Sequence, residues 1–408
     1  MRYFVAGYVG ALAVLVAVAI GGAALVVDAM GPDSAVDAAA GGHRFSVVSW
    51  EMRHFPEKWL YKIGDVFFDD RKGEGNDDDI LERYFNLTAE MQSAEGDELA
   101  AMEDERAWLE NTVENIIEGR VTSVLEDEGL TMNPPPFTEW GLVFPPVDFE
   151  FDAPPRVLVT SPRDRIALTD DILLENGLDL QTVEEIEARA EADGDASALV
   201  VQTGGVATYP SVVSNLREYD RLIDLVFHEW LHQYLVFFPL GSNYFNGGDL
   251  RTLNESVASI GGRELAVAYF ERYGNLALHE DEDGAPIEPE PTAAPPTPGP
   301  GEETFDFTTA MRALRMEVEA MLADGQVEEA EALMAEKRDE FEEEGAYIRR
   351  LNQAYFAFYG FYGDSPASID PIGPALEAVF EEAESAGEFI RRVRGITSRE
   401  ELEALTGG

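Results

Sequence analysis

The sequence predicts an α+β fold, mostly helical, preceded by a transmembrane helix. Three observations carry that prediction. Apolar residues recur at helical spacing through residues 76–128, 216–236 and 305–362. Strand-like segments are short and confined to residues 147–209. Residues 3–27 form an almost unbroken apolar run, long enough to cross a bilayer as a helix.

Arg2 precedes that run, and Asp28 and Asp33 follow it. The positive-inside bias then places the N-terminus in the cytoplasm and the rest of the chain outside, as a single-pass membrane protein. The competing reading is a cleaved signal peptide ending near Ala38-Ala39-Ala40, but the run is longer than a signal core needs.

The whole chain carries 80 acidic and 29 basic residues, a formal charge of −51. Such a field repels phosphate backbones, so nucleic acid is excluded as a natural partner. There is no cysteine. Disulfides, thiol nucleophiles and thiolate metal sites are therefore ruled out, and any metal must rest on histidine and carboxylate.

The elements are expected in this order. Residues 45–68, aromatic and mixed in charge, read as a juxtamembrane helix. Residues 76–128 give one or two amphipathic helices, with Val113, Ile116, Ile117, Val121 and Val124 on the packing face. Pro134-Pro135-Pro136 ends them. Residues 147–151 and 156–160 alternate as strands, residues 173–192 read as a helix, and residues 198–209 read as a strand. Gly204-Gly205 marks a turn or bulge in that strand, and Pro210 confines it to an edge. Asn215 and Glu218 form a capping-box signature for a buried helix over 216–236. A second helix starts near Asp249 or Thr252 and runs to about 273. Residues 282–303 are a Pro-rich linker. Helices follow over 305–362 with a turn at Asp324-Gly325, and a helical tail spans 373–405.

The chemistry lies at residues 222–259. His228, Glu229 and His232 form H-E-x-x-H, and Asn254-Glu255 follows on the next helix. Two histidines four apart project from one helical face and can reach a single Zn²⁺. Glu229 points about 100° away around the helix. It sits beside the ion, placed to take a proton from a metal-bound water. Glu255 is the expected third protein ligand. Thr252 and Glu255 also fit a capping box, which would turn the carboxylate to the backbone instead. The acceptor that orients a metal-bound histidine is expected to be Asp224, one turn before His228.

HEWLH followed by NESVA resembles the gluzincin branch of zinc metallopeptidases. The chain with its N-terminal anchor is similar to bacterial proteins grouped as membrane-bound aminopeptidases. The resemblance implies a zincin-like fold, with a small sheet packed on the HExxH helix and a helical lobe beyond. It implies His228, His232 and Glu255 as ligands of one Zn²⁺, and Glu229 as general base. Many gluzincins carry Asp four residues after the ligand glutamate, orienting a zinc histidine; here Ser259 stands in that place. In zincins an edge strand binds the substrate backbone, a role that falls to Val206, Ala207, Thr208 and Tyr209. A downstream Tyr or His often donates to the oxyanion. Tyr355 is the expected donor, on a face shared with Asn352, Tyr359 and Tyr362, and His279 is the other option.

The expected organisation is an anchor at 3–27, a juxtamembrane and acidic helical region at 45–130, a catalytic core at 140–280, the linker at 282–303, and a C-terminal lobe at 304–408. The expected function is a membrane-anchored zinc metallopeptidase acting on a peptide or protein, and the resemblance implies an aminopeptidase. The alternative is an inactive zincin-like scaffold whose acidic helices bind a partner.

Overall fold

A computed structural model of the protein describes residues 35–133, 141–278 and 305–406, apart from 48, 52–76, 92, 216–217, 247 and 364. The expected span at 3–27, most of 45–68, the linker at 282–303 and His279 lie outside the described residues. Among those described, no helix is long and apolar enough to cross a membrane.

The architecture is α+β with helix predominating. The described chain begins with α1 (Ala35–Ala40), α2 (Asp77–Glu90) and α3 (Gly96–Asp127). Strands β1 (Thr131–Met132) and β2 (Leu142–Val143) form a small antiparallel pair. Next come β3 (Phe149–Phe151), β4 (Arg156–Pro162), β5 (Asp170–Leu174), α4 (Leu180–Ala190), β6 (Ala196–Gln202), β7 (Gly205–Val206) and β8 (Ser211–Val213). The motif helices are α5 (Tyr219–Leu235) and α7 (Gly248–Tyr273), separated by the short α6 (Pro239–Ser242) and a 3₁₀ turn at Tyr244–Asn246. The remaining helices are α8 (Phe307–Ala323), α9 (Val327–Glu343), α10 (Gln353–Tyr359), α11 (Ile372–Glu381), α12 (Ala386–Val393) and α13 (Arg399–Thr406).

Three sequence expectations change here. Residues 173–192 are not one helix, because Leu173 and Leu174 close β5 by pairing with β4. The strand expected over 198–209 breaks into β6 and β7, which belong to different sheets. The α5 capping box does not form. Glu218 is the N-cap without a side-chain bond, and Asn215 instead donates to the Tyr84 hydroxyl.

One antiparallel sheet has the order β5-β4-β6. Its alternation sends Val157, Val159, Leu199 and Val201 into a core with α8, α9 and α10. Leu158, Ala198 and Val200 face the opposite side, against α1 and α4. A separate core gathers α2, α3, α5, α7, α11, α12 and α13.

The second three-stranded sheet, β3-β8-β7, is the one that meets α5. Its β3 edge is closed by a helix rather than a strand. The backbone N–H groups of Phe149 and Phe151 donate to Glu118 and Glu114 at 3.2 and 2.8 Å. These two carboxylates are one turn apart on α3 and mimic the acceptors of a neighbouring strand. The opposite edge, β7, pairs only with β8 among the described residues. An edge of this kind presents backbone donors and acceptors to another extended chain.

Candidate metal centre

Helix α5 is apolar nearly all round, and it is buried accordingly. Trp230, inside the motif, donates from Nε1 to the Pro145 carbonyl at 2.9 Å. Gln233 donates from Nε2 to the Thr208 carbonyl and to Ser211 Oγ. These bonds fix the helix against the sheet and leave the histidine face toward α7.

The two motif helices cross closely. A Cβ on Gly262 would lie 3.1 Å from the His228 backbone nitrogen and 3.0 Å from Asp224 Oδ1. A Cβ on Gly261 would meet Leu231 at 3.0 Å. The glycine pair inside α7 therefore permits the approach that carries Glu255 to the histidines.

His228, His232 and Glu255 are positioned to hold a metal ion, with their ligand atoms all within 4.8 Å of one another. His228 Nε2 and His232 Nε2 are 3.0 Å apart. Glu255 Oε2 lies 3.3 Å from His232 Nε2 and 3.9 Å from His228 Nε2. Bonds of 2.0–2.1 Å to a tetrahedral ion imply ligand–ligand edges of about 3.3 Å. The triad brackets that value. The histidine side chains are 17% and 16% exposed, so the site is reachable from solvent.

The outer contacts differ from expectation. His232 Nδ1 lies 2.8 Å from Asn254 Oδ1. As donor to that amide oxygen, it leaves the Nε2 lone pair for the ion. The Ala258 backbone favours the charged form of the His228 ring, against the pull of burial. Asp224 Oδ1 faces Gly262 on the neighbouring helix. Ser259 is part-buried one turn past Glu255. Thr252 lies within α7 and bonds back to the Gly248 carbonyl at 3.1 Å, so no capping box competes for Glu255.

Glu255 has a partner on its other oxygen. Tyr244 donates from its hydroxyl to Glu255 Oε1 at 2.5 Å. Arg251 lies over the rings of both Tyr244 and Phe361, 5.4 and 5.1 Å from their centroids, and pairs with Asp171 of β5 at 2.9 Å. Sequence spacing gave no sign of Tyr244, which lies in the turn between the motif helices.

In the metal-free site, burial disfavours charge and the neighbours decide the sign. Burial, reinforced by His232, pushes His228 down to about 3. On His232 burial is outweighed by Glu255, with help from Glu229 and Asn254, and the ring is pushed up to about 9. Burial of Glu255 is outweighed by His232, His228 and the Tyr244 bond, and the carboxyl is held low. Glu229 is raised to about 7 by burial, with His232 opposing and Glu255 adding to the shift.

Glu229 is buried beside the triad and packs against β7. A Cβ on Gly205 would lie 2.6 Å from Glu229 Oε1. The Gly204-Gly205 pair was legible in the sequence as a backbone irregularity, but not as the place where an edge strand meets Glu229.

Tyr355 is a correction. It is buried in the core formed with Val157, Val159 and Phe356, with its ring tilted against that of Tyr359. It does not join the triad. The helix ends at Tyr359, so the face that Tyr355 shares with Tyr362 is broken. Tyr362 lies in the following turn, where its hydroxyl is raised by burial and by the charges of Glu255 and Glu229. Ser256, the residue after the ligand glutamate, holds this turn. It accepts from the Gly363 N–H at 2.9 Å and donates to the Phe361 carbonyl at 3.3 Å.

The expected substrate strand is also narrower. Gly205 and Val206 form the open edge, and Ala207 is part-buried. Thr208 is buried with its carbonyl taken by Gln233, and Tyr209 is fully buried with its hydroxyl near the Pro146 carbonyl. Thr208 and Tyr209 therefore anchor the sheet rather than face a ligand.

No protein-family model, curated protein or solved structure matches the chain.

Proposed function

We propose that this protein is a membrane-anchored, zinc-dependent peptidase of zincin-like fold, acting outside the cytoplasm. The observation that carries the reading is the convergence of two imidazoles and one carboxylate at tetrahedral-edge distances, with Glu229 buried beside them against an open strand edge. The donor set is nitrogen and oxygen only, which suits zinc.

Bound zinc would supply Lewis acidity for the scissile carbonyl and a lowered pKa for its water. Glu229 would accept a proton from the attacking water and pass it to the leaving amine. Asn254 holds the His232 ring in its donor orientation. Gly205, whose backbone groups point away from β8, aligns the peptide backbone at the β7 edge by strand addition. Tyr362, latched by Ser256, replaces Tyr355 as the proposed hydroxyl donor to the oxyanion.

Glu229→Gln is the direct test. The variant is expected to bind zinc as the wild type does and to lose about 10²–10⁴-fold in peptide hydrolysis. Full activity in that variant removes Glu229 from the chemistry. A wild type that binds no zinc and cleaves no peptide supports the scaffold alternative. Paired peptides with free and acetylated N-termini separate aminopeptidase from endopeptidase action.

A further inference from the structure

Glu255 offers one oxygen to the histidines and is held by the other. Oε2 lies toward the two imidazoles, while Oε1 accepts the Tyr244 hydroxyl. The same ring sits edge-on to His232, with centroids 6.4 Å apart. Its opposite partner is the Arg251 guanidinium, which also lies over Phe361 and pairs with Asp171. The chain segment that carries Tyr244 is thereby tied to β5 and to the turn that holds Tyr362.

We propose that Tyr244 is a positioning residue for the metal ligand Glu255, restricting it to one-oxygen coordination. This rests on the metal-site reading above. The physical argument is competition. A carboxylate next to a divalent ion can bind through one oxygen or two. A short hydrogen bond to Oε1 stabilises charge on that oxygen and holds it away from the ion. One coordination position is then left for water or a substrate carbonyl, which a catalytic site needs and a structural site does not. Arg251 acts through the ring: its flat cation fixes the ring plane, and so the direction of the hydroxyl.

The test uses the full chain, stripped of metal and reloaded with Zn²⁺ or Co²⁺. Tyr244→Phe keeps the ring and its contact with Arg251 and removes only the donor. Zinc affinity, measured by chelator competition, is expected to change by about tenfold. The visible bands of the Co²⁺ form are expected to weaken, as they do when a four-coordinate ion gains a fifth ligand. An affinity and a Co²⁺ spectrum identical to the wild type overturn the proposal, even if the variant melts at a lower temperature. Should Tyr244→Phe fail to fold, Arg251→Lys gives the second reading, with the same spectral change expected at smaller amplitude. Wild-type coordination in that folded variant also overturns it. A wild type that binds neither ion refutes the metal-site reading itself, which is a separate outcome.

Discussion

Gly205→Ala tests whether the open strand edge and the base belong to one site. The added Cβ would lie 2.6 Å from Glu229 Oε1 and 2.8 Å from the Val212 carbonyl oxygen. Ordinary contact begins near 3.4 Å, so the first overlap is about 0.8 Å. Val212 lies in the central strand of its sheet, paired with Val206 and with Glu150, and cannot retreat without loosening both ladders. The carboxylate is the softer partner and is expected to move. A displacement approaching 1 Å in a catalytic group costs about 10²-fold in rate. Residual strain of this kind costs about 1–3 kcal/mol of stability. Peptide hydrolysis, zinc content and urea unfolding are to be measured together. The expected result is a rate loss with zinc content unchanged. Gly204→Ala is the control. There the Cβ meets a Leu225 methyl at 3.3 Å, which can rotate away, and both activity and stability should hold. Wild-type hydrolysis by Gly205→Ala would refute the placement of Glu229 against the edge.

Further predictions concern the turn, the tyrosines and the protons. Ser256→Ala leaves the buried Gly363 N–H without its acceptor, at a cost of about 1–3 kcal/mol, and should lower kcat more than it raises KM; an equal loss in both would mark a general packing defect. Tyr362→Phe should lower kcat by about 10²–10³-fold, whereas Tyr355→Phe should leave the rate unchanged; a reversed ranking restores Tyr355 as donor. In the metal-free protein, His232 is raised from the ordinary 6.5 to about 9. Its contribution to stability is therefore complete below pH 6.5 and lost as the pH rises through about 9. Zinc must displace that proton, so binding at pH 7 should release about one proton. Calorimetry in two buffers of different ionisation enthalpy reads this directly, and zero release would mean that His232 is already neutral.

Much of the secondary structure was legible because it is local. The helical period of Val113, Ile116, Ile117, Val121 and Val124 gave the packing face of α3, where Ile116 is part-buried and the other four are buried. The turn at Asp324-Gly325 separates α8 from α9, with Gly325 at φ 76°. The strands were less legible. Residues 198–209 carry one β-rich composition, yet the break at Gly205 sends β6 and β7 to different sheets. Composition records strand preference and says nothing of which neighbour a strand will pair with.

At the site, the two histidines and the glutamate between them could be read directly, because a spacing of four on a helix fixes direction without help from the rest of the chain. Their surroundings follow from how distant segments pack. Asn254 reaches His232 from 22 residues away, and Ser256 latches a turn 107 residues downstream. Tyr355 and Tyr362 looked equivalent on a helical wheel, and the end of α10 at Tyr359 separated them. Periodicity holds only while one helix continues; past its end, position is set by the packing of segments against one another.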